Sequence, residues 1–535
     1  MLATLNKPSI EDSELFARIK PIVGDGLLKK RVLIVGNYQI SLLLEYLVSC
    51  GLTHFEHCYV DGQDSSFFAD TLEALSKRLQ IEIQGQVLSN QPDQPDQSKT
   101  INENIDLIIG SGDYQAYQLT RDLVKQSGKT GMFYSLMANG SGLISFLSPD
   151  KLIELPCQIF SNLPNSNLFS ELHLVNIVAN YAKGLLLKGT RYARLDIEKV
   201  VDANELLIVG HPSWPWVVKP IKLESLLTLA NSFPLDLQIN KNRATLAGKT
   251  CLIIGLGSLG SVIAEILAKL GANLILIDGE NVDAANPIRQ IYRVDQIGQA
   301  KASACAEQVA INSRAIRDKE STQKFFAYQF AISPEGESLL ELEGLFTKHK
   351  IDVAIVATGT ANDRIISQTL ISKNLPHVIV SCYARARFFE AIVINGKGSP
   401  CFGCIRGHLY LGKTPSLTPE QRARYISSEH DLTAEPATRV ETGRAADLAA
   451  HIAYSLLNLD KNLWLARALA EEQTFFLGGN ASEEQLNGDW AYTIELPGEV
   501  KLFGLQDITG RGDYIECWDC GRKLPISIPY QGNLL

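Results

Sequence analysis

The chain has 535 residues, of which 45% are hydrophobic and 20% charged, and its formal net charge is −9. This length exceeds what one hydrophobic core serves, so we expect two or three domains. The negative charge argues against duplex nucleic acid or an anionic membrane as the main partner. The first twenty residues lack a signal-peptide pattern, and Glu265 and Lys269 interrupt the apolar segment 251–264 too early for a membrane span.

The ten cysteines do not suggest a disulfide framework. Four of them form two CxxC pairs, a pattern typical of reduced thiols that hold a metal ion. We therefore expect a cytoplasmic protein.

In the first half, apolar runs typical of buried strands occupy 31–36, 57–61 and 105–110, and helical patterns occupy 40–49 and 172–187. Gly36 ends the first run, as in a nucleotide-binding turn. However, Tyr38 stands where the second glycine of such a turn would lie. Because its ring would fill the space that a pyrophosphate needs, we predict that this half has lost nucleotide binding.

Residues 249–301 repeat this arrangement with an intact glycine turn. The strand 251–254 precedes Gly255, Gly257 and Gly260, and an amphipathic helix then leads to a second strand that ends at Asp278. The glycines let the backbone approach phosphate, and the helix N-terminus supplies free N–H groups. A carboxylate about twenty residues beyond the glycines can accept both ribose hydroxyls.

Four polar side chains follow this unit: Asn286, Arg289, Gln290 and Lys301. A nicotinamide dehydrogenase needs no pair of cations near a polyphosphate. An adenylating enzyme does, because charge builds on the α-phosphate and the leaving pyrophosphate when a carboxylate attacks. The pattern therefore favours adenylation, with solvated helix positions as the alternative for Arg289 and Lys301.

The second half also repeats a later strand, at 351–357, and a long apolar helix, at 445–457. Repetition of this kind indicates duplication. We predict an α/β fold with two tandem Rossmann-like domains that form a pseudo-dimer. The degenerate domain would span 1–190, a connector 191–240, and the active domain 241–535.

The segments GLGSLG, LIDGENVDAANPIRQ and IGQAKA resemble the adenylation domain of ubiquitin-activating enzymes. Bacterial adenylyltransferases of thiamine and molybdopterin synthesis share that domain. The resemblance implies that Asp278 binds the ribose, and that the four polar side chains after it handle the phosphates of ATP. It also implies a bacterial form with fused inactive and active domains, either as a monomeric pseudo-dimer or as a homodimer.

Two further expectations come from this resemblance. The partner copy in the family contributes an arginine from a helix just ahead of its first strand, and Arg18 matches that position. Its alternative role is that of an exposed helix residue. The family also binds Mg²⁺ through an aspartate directly after the strand equivalent to 351–357, but this chain has Gly359 there, with Asp363 one helical turn further on. The way in which Mg²⁺ is held is therefore left open.

Cys401, Cys404, Cys517 and Cys520 form the two CxxC pairs. Four thiolates satisfy tetrahedral Zn²⁺ and leave no open position for chemistry. We therefore predict a structural zinc that fastens the C-terminal tail to the second domain, with a redox dithiol as the alternative.

Activation of ubiquitin-like proteins normally continues by transfer to a cysteine in a crossover loop, which corresponds here to 405–444. This loop contains no cysteine. The enzyme would stop at the adenylate, form an oxyester on a loop hydroxyl such as Thr438 with His430 as base, or use Cys382 outside the loop. The other hydroxyl candidates are Ser427, Ser428, Thr433 and Thr442.

The leading hypothesis is ATP-dependent activation of the C-terminal carboxylate of a ubiquitin-like protein and its passage to a conjugating enzyme. The first alternative is a peptide-modifying adenylyltransferase of the microcin or azole-forming kind, which also lacks a loop cysteine. The second is a non-catalytic recognition scaffold. Its support is Gly359, which stands where the family has the aspartate that binds Mg²⁺.

Overall fold

The structure analysed is a computed structural model, and its described part has gaps at the chain ends and at several internal segments. The described residues are 15, 19, 23, 27–36, 38–58, 66–88, 104–137, 141–160, 168–188, 190, 206–211, 214–230, 246–314, 323–333, 337–360, 362–383, 386–409, 437–460, 463–480, 496–504, 514–517, 519–520 and 522–525. Within these residues, no helix combines the length and the apolar character that a membrane crossing requires.

The first half forms an eight-stranded mixed sheet with the spatial order β3-β2-β1-β4-β5-β6-β7-β8. The first five strands of that order run parallel, and the last three pair antiparallel. The strands are β1 (Arg31–Val35), β2 (His54–Cys58), β3 (Gln84–Leu88), β4 (Leu107–Ser111), β5 (Gly131–Leu136), β6 (Gly142–Leu147), β7 (Leu206–His211) and β8 (Trp214–Pro220).

The second half repeats the same topology in a sheet of order β11-β10-β9-β12-β13-β14-β15-β16. It again has five parallel strands followed by antiparallel ones. The strands are β9 (Thr250–Ile254), β10 (Asn273–Ile277), β11 (Phe325–Tyr328), β12 (Val353–Val356), β13 (His377–Tyr383), β14 (Phe388–Ile394), β15 (Gln473–Gly479) and β16 (Val500–Gly504). A small antiparallel pair, β17 (Tyr514–Glu516) and β18 (Lys523–Pro525), follows.

Twelve α-helices lie within the described residues. They are α1 (Ile40–Ser49), α2 (Ser66–Leu79), α3 (Tyr114–Ser127), α4 (Leu168–Leu187), α5 (Leu223–Ala230), α6 (Gly260–Lys269), α7 (Lys301–Arg314), α8 (Glu337–Lys348), α9 (Asp363–Ser372), α10 (Phe402–Leu409), α11 (Arg439–Leu457) and α12 (Leu463–Ala470). Helix α3 shows how local sequence sets such bounds. The Asp113 side chain accepts a hydrogen bond from the Ala116 amide at its start, and Gly128 ends it with φ of +68°.

The prediction of two tandem Rossmann-like domains is confirmed, since both sheets have the same strand order. The predicted strand at 57–61 lies earlier, at His54–Cys58, and its last residues fall outside the described part of the chain. The domain boundaries at 190 and 240 stay predictions. Strands β7 and β8 lie between those boundaries and continue the first sheet.

The two halves are joined through α4 and α11, which pack against each other and against α1. The Asn176 side chain on α4 donates to the Val440 carbonyl of α11 at 2.8 Å, and Lys183 pairs with Glu441. The helices approach closely at Gly443, where an added Cβ would lie 3.0 Å from the Tyr46 ring. Val440 belongs to the hydrophobic core of the first half, so the halves share a continuous interior.

Candidate active site

The glycine turn closes the carboxyl end of β9, at the point where the strand order of the second sheet reverses between β9 and β12. Open α/β sheets bind ligands at such a point. A Cβ at Gly255, whose φ is +87°, would lie 2.7 Å from the Ala357 carbonyl oxygen that follows β12. A Cβ at Gly260 would collide with the turn itself, whereas at Gly257 it would meet no atom within 4 Å. Gly257 thus faces open space, which suits a backbone that approaches phosphate.

Asp278 directly follows β10 and its carboxylate lies at the glycine turn. It accepts hydrogen bonds from the Leu256 amide at 2.6 Å and from the Glu280 amide at 2.8 Å. Burial raises the pKa of Asp278 above its usual value, against the opposing effect of these bonds and of Lys301. A carboxylate has about four lone-pair sites, so two of them are left for ribose hydroxyls.

The segment from Asp278 to Lys301 folds back onto the turn. The buried Tyr292 hydroxyl donates to the Leu256 carbonyl at 2.7 Å and lies 3.5 Å from the Lys301 carbonyl oxygen. The Gln290 side-chain nitrogen lies 3.5 Å from the Ser258 hydroxyl, within the turn. The predicted ATP residues Asp278, Gln290 and Lys301 are therefore brought to one edge of the sheet, beside the glycines.

Both predicted cations are buried. Lys301 begins α7, its side chain is 7% exposed, and its Nζ lies 2.5 Å from a carboxylate oxygen of the exposed Glu280. Arg289 is 4% exposed. Its amide donates to the carbonyl of Asn286 at 3.1 Å, and the Asn286 side chain accepts from the Asp283 amide at 3.0 Å. The burial of both side chains agrees with the predicted stabilisation of phosphate charge, and it disagrees with the alternative that they are solvated helix residues.

The loop after β12 holds Thr358, Gly359 and Thr360. Gly359 has φ of +62°, and an added Cβ there would meet no atom within 4 Å. Asp363 begins α9, is 4% exposed, and accepts a hydrogen bond from the Thr358 hydroxyl. The structure thus brings the Asp363 carboxylate back to the end of β12, although it lies further along the chain than the position used in the family.

The corresponding turn of the first half contains Tyr38, between β1 and α1. A Cβ at Gly36, whose φ is +83°, would lie 2.1 Å from the Ser111 carbonyl oxygen, so this turn is as tight as its counterpart. The Tyr134 hydroxyl donates to the Tyr38 carbonyl at 2.8 Å, and the two rings lie 6.2 Å apart. Burial, as the largest cause, raises the pKa of Tyr38. This arrangement supports the prediction that the first half does not hold a nucleotide.

The four predicted metal-binding cysteines come together in the second domain, where Cys404 lies on α10. Their sulfur atoms all lie within 4.8 Å of one another. The separations are 3.5 Å for Cys401–Cys404, 3.6 Å for Cys401–Cys517 and 3.4 Å for Cys404–Cys520. Tetrahedral zinc with Zn–S bonds of about 2.3 Å separates its sulfurs by about 3.8 Å. The cluster therefore fits Zn²⁺.

The second CxxC pair also contacts α9, the helix that follows the loop after β12. The Asp519 carboxylate, 3% exposed, accepts from the Arg364 Nε at 2.9 Å and 3.0 Å. Arg364 directly follows Asp363 in α9. The cysteine cluster thus anchors the helix that carries the Asp363 carboxylate.

The predicted acyl carriers have different surroundings. Thr438 is fully buried, and both its amide and its hydroxyl donate to the Glu441 carboxylate in a capping box at the start of α11. Cys382 is half-buried near the carboxyl end of β13, at the same sheet edge as the glycine turn. Thr442 is buried within α11. Arg18, Ser427, Ser428, His430 and Thr433 lie outside the described residues.

Three residues at this site were not identified from the sequence. Tyr292 and Glu280 lie inside the predicted motif, but their partners Leu256 and Lys301 are set by the fold-back of the chain. Arg439 donates to the Gln290 carbonyl at 3.4 Å from a helix almost 150 positions away. Only Tyr292, an aromatic residue next to the predicted phosphate-binding residues, was visible as a sequence signal.

Residues 231–469 match the family model described as the ThiF family. Ubiquitin-like modifier-activating enzyme 5 of Drosophila persimilis is 38% identical over 76 residues, which are 14% of this chain and 20% of that protein. The enzyme of the same name from Caenorhabditis briggsae is 33% identical over 102 residues, which are 18% of this chain and 24% of that protein. The chain thus spans about a fifth to a quarter of the length of these relatives.

Among solved structures, E. coli MccB with MccA-N7isoASN is 14% identical to this chain. The alignment covers 73% of this chain and 98% of that one, with a TM-score of 0.37.

Proposed function

We propose, from the match of residues 231–469 to the ThiF family model, that the chain is an adenylyltransferase that activates the C-terminal carboxylate of a ubiquitin-like protein with ATP. In this proposal the activated protein passes to a conjugating enzyme, and the chain acts in the cytoplasm as a single-chain pseudo-dimer. The observation that carries the proposal is the convergence of Gly257, Asp278, Gln290 and Lys301 on one sheet edge.

Each residue at that edge has a role in the proposed reaction. The glycine turn and the N-terminus of α6 would hold the phosphates, and Asp278 would hold the ribose hydroxyls. A carboxylate oxygen of the substrate attacks the α-phosphorus, the bond to the bridging oxygen breaks, and pyrophosphate leaves. Arg289 and Lys301 would stabilise the charge that develops on these oxygens, in a buried site where such charges interact strongly.

Two metal ions complete the proposal. Asp363 would hold Mg²⁺, which neutralises phosphate charge when bound. The four cysteines would hold a structural Zn²⁺ that fastens 514–525 to the second domain. Arg18 would contribute from the first half to the same site, as the family resemblance implies.

The step after adenylation has three candidate routes. The adenylate is handed directly to an external nucleophile, or the substrate first forms an oxyester on a hydroxyl such as Thr438, or it forms a thioester on Cys382. Burial of the Thr438 hydroxyl and its bond to Glu441 favour direct transfer over the oxyester. Incubation with ATP and a ubiquitin-like protein separates the routes: a thiol-sensitive adduct indicates Cys382, a thiol-resistant and hydroxylamine-labile adduct indicates a hydroxyl, and no adduct indicates direct transfer.

The proposed adenylation is tested by ATP–pyrophosphate exchange in the presence of a ubiquitin-like protein. We expect Lys301→Ala and Arg289→Ala each to lower exchange by about 10²-fold or more, because each removes charge stabilisation from a buried site. Lys324→Ala is the matched control, since this lysine is exposed at the start of β11, at the opposite sheet edge. Full exchange in the Lys301 and Arg289 variants contradicts the assignment.

The peptide-modifying alternative is favoured by the absence of a cysteine from the loop 405–444. It predicts that exchange is stimulated by an unfolded peptide with a free C-terminus and not by a folded ubiquitin-like protein. The scaffold alternative predicts no exchange with either substrate.

A further inference from the structure

Arg439, the first residue of α11, is a buried cation that three different elements contact. It is 3% exposed, and its guanidinium lies 3.0 Å from Glu45 on α1 and 3.3 Å from Glu265 on α6. The same guanidinium donates to the backbone carbonyl of Gln290 at 3.4 Å. Helix α1 belongs to the first half, and α6 follows the glycine turn, so this side chain joins the degenerate half to the candidate nucleotide site.

Both carboxylates have a second cationic partner. Arg78 lies 2.6 Å from Glu45, and Lys269 lies 3.0 Å from Glu265. Burial alone would raise the pKa of Glu45, but Arg439 and Arg78 lower it to about 2. Glu45 is therefore ionised at neutral pH, and the chain of alternating charges is Arg78, Glu45, Arg439, Glu265 and Lys269.

We propose that Arg439 is a positioning residue of the nucleotide site, and that Glu45 of the first half holds it in place. This inference rests on the proposed function, because it assigns a support to Gln290, one of the residues expected to contact ATP. Arg439 would act on the glycine turn indirectly. It acts on the backbone of Gln290, whose side chain reaches Ser258 within that turn.

The geometry gives this contact an effect on ligand binding. Two bonds anchor the end of the 286–292 segment, the Tyr292 hydroxyl bond to Leu256 and the Arg439 bond to Gln290. Loss of the second anchor would let the Gln290 backbone move away from the turn. A guanidinium can bond three acceptors at once because its donors are arranged as a planar fork, which a lysine ammonium cannot reproduce.

The experiment compares Glu45→Gln and Arg439→Lys with the wild-type full-length chain. The primary readout is the Kd of a fluorescent ATP analogue, and KM for ATP and kcat in pyrophosphate exchange are measured with it. We expect both variants to raise Kd and KM for ATP by about 3- to 30-fold, with a smaller change in kcat. Lys30→Gln is the matched control, because it removes an ion pair of the first half, with Asp106, that lies at the amino ends of β1 and β4.

The thermal midpoint of each variant separates positioning from a structural role. If Glu45→Gln and Arg439→Lys lower the midpoint but leave ATP affinity within about twofold of wild type, the inference is overturned. A wild-type chain that binds ATP but catalyses no exchange overturns the proposed function, and the inference is then judged on Kd alone. A wild-type chain that binds no ATP overturns both.

Discussion

Replacing Lys183 with methionine removes the cation from a buried ion pair between the two halves. Lys183 on α4 is 3% exposed, and its partner Glu441 on α11 is 1% exposed. Methionine keeps most of the volume of the lysine stem, so the main change is the loss of charge beside Glu441. A buried carboxylate without its cation is strongly destabilising because water cannot replace the lost partner.

The expected cost follows from what Glu441 retains. Breaking a buried pair costs about 3–5 kcal/mol. Glu441 still accepts a bond from the Thr438 amide at 2.9 Å and one from the Thr438 hydroxyl, so we expect the lower end, about 3 kcal/mol. This corresponds to about a hundredfold change in the equilibrium between folded and unfolded states.

The assay is urea denaturation followed by tryptophan fluorescence. Trp216 is suited to report on this contact, because it is fully buried and its ring lies 3.5 Å from that of His173 on α4. Lys77→Met is the control: its pair with Glu73 is exposed at 74% and 63%, so its loss should leave the stability almost unchanged. The double variant Lys183→Met with Glu441→Gln should recover much of the stability, since an amide can still cap α11. A cost for Lys183→Met no larger than that for Lys77→Met would refute the reasoning.

Three further predictions concern the stability of the same interface and of the metal cluster. Gly443→Ala should lower the free energy of unfolding by about 1–3 kcal/mol, because its Cβ would lie 3.0 Å from a tyrosine ring. Gly344→Ala, with open space around its Cβ in α8, should instead raise it by about 0.5–1 kcal/mol. Thermal unfolding compares the two variants, and equal effects would contradict the close approach of the helices at Gly443. Arg439 and a second arginine lower the pKa of Glu45 to about 2, against the effect of its burial. The stabilisation by ionised Glu45 is therefore present at neutral pH and is lost as pH falls from about 5 to about 2. The thermal midpoint of Glu45→Gln should depend less on pH over that window than that of the wild type, and an unchanged pH profile would count against the ion pair. Removal of metal by a strong chelator should lower the thermal midpoint and release about one zinc ion per chain, measured colorimetrically, whereas an unmoved midpoint would argue for free thiols.

The sequence by itself predicted the repeated fold because its signals are local. Buried parallel strands read as short apolar runs. Gly255, Gly257 and Gly260 mark a turn in which Gly255 has a positive φ and Gly260 has no room for a Cβ. The strand order in both halves agrees with that prediction. The two CxxC pairs likewise pointed to a metal cluster, since thiolates at that spacing have few other uses, and their sulfurs do lie together.

The tertiary structure decided how the halves meet and what surrounds the candidate site. The pairs Lys183–Glu441 and Glu45–Arg439 join residues more than 250 positions apart, and no periodicity or motif links them. Thr438 looked available as a loop hydroxyl, but it is buried in the cap of α11. Such contacts arise from the packing of one helix face on another, which depends on the whole fold. Sequence alone therefore predicted the elements and their chemistry, and packing determined which charges are paired and which hydroxyls water can reach.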